Sequence, residues 1–301
     1  MLLAIYSVSV FIFIGYIAKL LRLVGNKQSG ILLGFLLNFA LPAQIFNGTY
    51  HAHIDIAFLY VCLISLLCSI SGGVALFGIG KMLKLERNSI LAMSFMGAFG
   101  NTLFLGLPIV NGALGESYAN KVIIYDQIVT GIPIAFLAPL ILSLNGKGIF
   151  SVRAITLRLF QSPLFLSLLF GLALKFLPLE IPDELFIPLK SLAQTATPVA
   201  LFAIGVQMSL KSVKEEWRLT ALLLFGKMII APLMLFIVVL VSFGGFNDLW
   251  RMALIEVAMP PVVSAGAIVI KAGLNAKLAV SAIAFGILLS FVSVPLWLLV
   301  T

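Results

Sequence analysis

Ionisable and amide side chains are scarce in this chain, so the few that fall inside long apolar stretches are where chemistry has to be sought. Lys227 lies about ten residues into one such stretch, a position that demands a counter-ion, a water-filled cavity or enclosing protein. It could bind a carboxylate or trade a proton with one, or form a structural ion pair. Glu256 stands roughly a turn before a double proline. A carboxylate whose surroundings differ between two conformations differs in proton affinity between them, so Glu256 is a candidate for proton coupling; a buried pair is the alternative. Asp126, in IYDQIV and nearer the predicted outer surface, is a candidate for gating or cation binding, or else a solvated helix end. No metal site is expected, because the two histidines, His51 and His53, sit in a predicted loop.

The helix breakers point the same way. The stretch MGAFGNTLFLGLPIVNGALG holds glycines at 97, 100, 106, 112 and 115 together with Pro108, and EVAMPPVVSAGAIVIKAG holds adjacent Pro260 and Pro261. Two successive prolines remove two backbone donors, leaving carbonyls around Glu256 and Val257 without helical partners. Unpaired backbone inside a bilayer is tolerated only where protein or a water-filled cavity satisfies it. Half-helix ends meeting at mid-membrane offer free N–H groups and partial charge to a ligand. Asn101 would add an amide there, and Thr102 and Ser264 hydroxyls. A milder pattern appears where Pro42 follows Asn38, and Pro198 follows Gln194, by four residues. Each proline frees the carbonyl of its own amide residue; Asn38, Gln194, Gln44 and Thr197 could line a cavity, or mark hinges.

The elements that must position these residues follow from composition. Of 301 residues, 62% are hydrophobic and 10% charged, against roughly a quarter charged in soluble domains. Such a chain has lipid as its main solvent. Apolar segments long enough to span fall at 2–24, 29–47, 56–80, 90–114, 121–144, 154–177, 184–209, 217–243, 250–271 and 276–300. With the N-terminus outside, fourteen Lys and Arg fall in or near the cytoplasmic connections and four on the outer side. That asymmetry places both termini outside a multi-pass plasma-membrane protein, a bacterial inner membrane in the reading adopted here. The net charge of +8 is spread over these short connections, which argues against nucleic-acid binding. Cys62 and Cys68 read as buried free thiols.

The chain also repeats itself. An offset of 156 aligns Gly15 with Gly171, Lys19 with Lys175, Asn38 with Gln194 and Pro42 with Pro198. An offset of 160 aligns Ala98 with Ala258, Asn101 with Pro261 and Gly106 with Gly266. The predicted fold is therefore all-α and polytopic, with ten transmembrane helices as two inverted five-helix repeats, 1–145 and 153–301. Helices 4 and 9 are broken. An odd number of helices per repeat inverts the second half, a construction common to secondary carriers.

GNTLFLGLPIV at 100–110, LPA at 41–43 and TPVALFAIG at 197–205, set in a ten-helix inverted repeat, resemble the auxin efflux carrier family. That family includes plant auxin exporters and bacterial permeases assigned to malonate or malate, within a wider fold shared with bile-acid sodium symporters. The resemblance spans the chain and implies crossing broken helices, a scaffold, a homodimer and export or exchange of organic carboxylates. Plant members carry a long hydrophilic loop between the halves; here LNGKGIFSVRA stands in its place. Many also have an asparagine in each crossing helix. Asn101 matches the first, but the second position reads Pro-Pro-Val-Val, so a small bacterial carboxylate permease fits better than an auxin exporter. The expected function is secondary transport of small organic anions without cofactor, with H+ or Na+ as coupling ion. A sodium-coupled symporter and a ligand-binding receptor built on the carrier fold stay open as alternatives. A channel would more often show charge rings, and no nucleophile–base or metal motif supports an enzyme.

Overall fold

The computed structural model describes residues 2–144, 151–177, 181–208 and 215–301; Lys147, Lys211 and Lys214, counted among the Lys and Arg of the predicted cytoplasmic connections, lie outside them. Among the described residues, six helices are long and apolar enough to cross a bilayer. They are Lys27–His51, Ile56–Met82, Glu116–Leu144, Asp183–Gln207, Trp217–Phe243 and Ala276–Leu299. The pair Val152–Gln161 and Pro163–Phe176, bent by 69°, would make a seventh. The apolar helices Ile5–Leu20 and Thr102–Leu114 are shorter. Two runs are interrupted by extended backbone: Arg87–Ala98 before Thr102, and Asp248–Val257 before Val263–Lys271. The chain is thus an all-helical polytopic membrane protein.

Short polar residues start the helices by taking up orphan N–H groups. The Asp55 carboxylate accepts from the Phe58 N–H at 2.7 Å, the Asn247 side chain from Trp250 at 3.0 Å, and the Asn275 side chain from Leu278 at 2.9 Å. Gly244, in the left-handed region at φ 73°, ends Ala231–Phe243.

Prolines within the spans are absorbed by wide turns. The π-helical stretches Leu36–Ala40, Thr102–Gly106, Gln127–Gly131 and Gly226–Ile230 each end two residues before a proline, at 42, 108, 133 and 232. A proline cannot donate to the carbonyl four residues back, and its ring crowds that carbonyl. Widening the preceding turn makes room: Leu41 donates to the Leu36 carbonyl and Ala231 to that of Gly226, five residues back in each case. The helix bulges without ending.

The chain divides into two compact units, each drawn from several stretches of sequence. The first comprises 1–54, 103–127 and 156–208. In it Leu2–Leu20 lies along Ala196–Gln207 so closely that a Cβ at Gly15 would collide with the Phe202 carbonyl oxygen. Pro163–Phe176 lies along Leu41–His51, where a Cβ at Gly171 would be 3.0 Å from the Phe46 carbonyl oxygen. Small residues let membrane helices approach this closely. Gly15 and Gly171 are 156 residues apart, and so are Phe46 and Phe202. Lys19 donates to the Met208 carbonyl at 2.7 Å and Lys175 to the Tyr50 carbonyl at 3.1 Å. Each lysine thereby caps the C-terminal end of the helix packed beside its own.

The second unit comprises 55–102, 128–155 and 209–301. Its core includes Leu76, Met93, Met96, Leu223, Met228 and Ala282. Ser94 donates to the Gly73 carbonyl at 2.8 Å, holding Arg87–Ala98 against Ile56–Met82. Cys62 and Cys68 are buried here and are not joined in a disulfide. The carbonyl that Pro232 cannot serve belongs to Met228, and it accepts a 3.0 Å hydrogen bond from the Trp297 indole N–H. Trp297→Phe keeps the ring but removes that donor. It is expected to cost about 1 kcal/mol, read as a lower unfolding midpoint in detergent.

Candidate functional site

The second unit holds the place where the two interrupted helices meet. Arg87–Ala98 gives way to extended backbone at Phe99, and Asp248–Val257 ends in a turn at Ala258 before the double proline. The two exposed stretches of backbone then satisfy each other across an antiparallel bridge between Gly100 and Pro261. The Asn101 N–H donates to the Pro260 carbonyl at 2.8 Å, and the Val262 N–H to the Phe99 carbonyl at 3.1 Å. Sequence alone offered several glycines and Pro108 as breakers and, through the repeat, set Asn101 opposite Pro261. The structure sets the first break at residues 99–101, because Pro108 is accommodated by the π turn ahead of it.

The carbonyls freed by the double proline find specific donors. Pro260 would have served Glu256, whose carbonyl instead accepts from the Met259 N–H at 3.3 Å. Pro261 would have served Val257, whose carbonyl accepts from the Lys227 ammonium at 2.6 Å. Lys227 is wholly buried, and the Glu256 carboxylate acts on it electrostatically. The two helices that carry these opposite charges, which sequence could not place side by side, therefore adjoin.

Gly100 makes this proximity feasible. A Cβ there would stand 3.1 Å from the Glu256 carbonyl oxygen, 3.2 Å from the Met259 Cβ and 3.3 Å from the Lys227 nitrogen. Beside it Asn101 is wholly buried, and among the described residues neither its amide oxygen nor its amide nitrogen has a hydrogen-bond partner. The neighbouring Thr102 hydroxyl is also buried, 3.5 Å from that of Thr130. Ser264, the second residue of Val263–Lys271, is exposed. The structure thus gathers Asn101, Pro260, Pro261, Lys227 and Glu256 around one crossing, with Thr102 and Ser264 on the helices that leave it.

The remaining candidates belong to the first unit. Gln194 lines a cavity of about 350 Å³ together with Gln44, Asn47, Glu116, Asn120 and Lys190. Amides with one cation and one carboxylate suit a small polar solute. Asn38 is exposed and donates to the Gly34 carbonyl at 2.8 Å, within its own helix. Pro108 is half-buried at the start of Leu107–Leu114. Asp126 is not at a solvated helix end. It is 7% exposed, ahead of the Gln127–Gly131 π turn, and accepts from the Gln127 amide at 3.0 Å. His51 is the last residue of its helix, not a loop residue, and packs against Tyr50 and Phe186. Sequence reasoning had Gly100 only as one breaker among five glycines, and it missed Trp297. For Trp297 a signal existed: Pro232 announces a carbonyl in need of a side-chain donor.

Comparison with known proteins agrees with this architecture. Residues 1–298 match the family described as membrane transport protein. An uncharacterized transporter of Methanothermobacter thermautotrophicus is 27% identical over 299 residues, covering 97% of this chain and 96% of its own. A Rhizobium meliloti protein named "Putative malonate transporter" is 26% identical over 258 residues, covering 83% of this chain and 79% of its own. An uncharacterized transporter of Methanocaldococcus jannaschii is 23% identical over 301 residues, 96% of this chain and 95% of its own. These proteins are transporters and not enzymes. With its apolar spans and a family match along almost its whole length, the chain belongs to the membrane transport protein family, that of the auxin efflux carriers.

Proposed function

We propose that the protein is a secondary carrier of small organic anions, carboxylates above all, which binds them at the helix crossing and moves them by alternating access. The observation that carries this reading is the Asn101 amide, wholly buried at the crossing with neither end hydrogen-bonded among the described residues. Burying such a group costs about 1–3 kcal/mol, a cost that a ligand-binding role explains. The amide nitrogen is a donor for a carboxylate oxygen. The Lys227 charge nearby lends positive potential, and Pro260 and Pro261 hold the crossing open to backbone pairing. Thr102 and Ser264 supply hydroxyls, and Glu256 and Asp126 are the acidic groups available for proton coupling. Gln194, with the polar cavity it lines, Asn38 and Pro108 are further candidates for contact with the solute. The malonate named for the Rhizobium relative makes a small dicarboxylate the first substrate to test.

In this reading the chain has ten spans in two inverted repeats, the short and interrupted helices counting as spans. Support comes from the pairs Gly15–Phe202 and Gly171–Phe46, which recur at one offset in equivalent packing. Both termini face outward across the plasma membrane, with the Lys and Arg clusters inside. The carrier cycle is then a rocking of one helix bundle against the other.

Counterflow in proteoliposomes tests the proposal. Vesicles loaded with unlabelled malonate, malate or an aromatic carboxylate are expected to accumulate trace labelled substrate transiently above equilibrium. Ligand binding to folded protein without any accumulation would replace the carrier with a receptor built on the same fold.

A further inference from the structure

We propose that Lys227 is a tethered coupling cation: its ammonium occupies, at the crossing, the site that a free monovalent cation would otherwise need, and so makes the carrier independent of sodium. The inference rests on the carrier reading above and deepens it. Inverted-repeat carriers commonly hold sodium on carbonyls released where helices unwind, with an acidic or amide group beside them. Those components are present here. The double proline releases the Val257 carbonyl, the Glu256 carboxylate supplies negative charge, and Gly100 leaves space at the point of contact. What fills the space is the lysine nitrogen, 2.6 Å from that carbonyl and wholly buried.

The geometry leaves no room for a second cation. A sodium ion on the Val257 carbonyl would have to share that oxygen with an ammonium 2.6 Å from it. In so dry a place like-charge repulsion is large. The lysine reaches this point from Gly226–Ile230, the wide turn before Pro232. Its charge cannot leave with the solute, unlike that of a bound ion. The cation of this site is consequently counted as protein in both states of the cycle.

The experiment has an arm that needs no variant. Wild-type exchange, and the wild-type unfolding midpoint in detergent, are measured while sodium chloride replaces N-methylglucamine chloride at constant ionic strength. Both are expected to stay flat. A saturable rise of either with sodium overturns the proposal. The second arm is Lys227→Ala, which leaves an ammonium-sized gap beside the Val257 carbonyl and Glu256. Its exchange is expected to fall at least about tenfold, the scale of breaking a buried charge pair. Methylammonium or sodium should restore exchange in part and raise the variant's unfolding midpoint by about 2–4 °C, with no effect on the wild type. Full exchange by Lys227→Ala without added cation also overturns it. If the wild type moves none of the carboxylates, the carrier reading fails for those substrates. The midpoint measurements still decide the cation question, and if the variant does not fold, the wild-type sodium titration decides it.

Discussion

Asn101→Ala is expected to leave the protein as stable as the wild type, or more stable, while lowering carboxylate exchange at least about tenfold. The two halves of this result have one cause. The amide is buried with no partner among the described residues, and an unsatisfied buried polar group costs about 1–3 kcal/mol. Removing it relieves that cost. A bound carboxylate, in contrast, loses a hydrogen bond between a charged and a neutral group, worth about 1.5–3 kcal/mol, which is about tenfold or more in affinity. The checks are the unfolding midpoint of purified protein and counterflow beside the wild type. A marked loss of stability with affinity retained would make Asn101 a packing residue and move the site elsewhere.

Gly100→Val should do the opposite, destabilising the fold and abolishing exchange together. Even a methyl at Gly100 meets the Glu256 carbonyl, Met259 and the Lys227 nitrogen at 3.1–3.3 Å, and a branched side chain has to push at least one of them away. Backbone is what it would move first. The Asn101–Pro260 and Val262–Phe99 hydrogen bonds that join the two breaks would open with it. Overpacking costs about 1–3 kcal/mol, and separating Lys227 from its carbonyl adds to that. Thermal unfolding with and without substrate checks it; a midpoint within about a degree of the wild type would mean that the crossing is looser than its geometry implies.

Much of this organisation was legible in the residues. Six of the ten apolar segments are single long helices, because a run of twenty apolar residues has few other fates. The double proline located one break correctly, since two missing donors cannot be absorbed by one wide turn. Single prolines are weaker signals. Pro108, counted among the breakers of its segment, is accommodated by a π turn, and the interruption lies at residues 99–101, around the Asn101 that the repeat aligns with Pro261. Glycine number gave the neighbourhood and not the residue, because Gly97 serves helix packing against Leu76 while Gly100 serves the crossing. Of the two readings of Asp126 the solvated helix end falls, because it is buried: distance along a segment says little about burial when a lipid-spanning helix also packs against protein. Lys227 and Glu256 were recognised as unusual one at a time. Their electrostatic interaction depended on which helices adjoin, which a single apolar sequence does not encode in its periodicity.

The wide turns before prolines 42, 108, 133 and 232 bear on how such chains are to be compared. A π turn is a helix with one residue inserted, and that residue rotates everything beyond it by about 100°. A relative that lacks the proline has no need of the extra residue. Its alignment with this chain should then show single-residue gaps clustered in the turn preceding each of these prolines, inside spans where gaps are usually forbidden. An alignment that disallows gaps in transmembrane segments would shift one side of every such helix onto the wrong face, and would pair Lys227 with lipid-facing positions of its relatives.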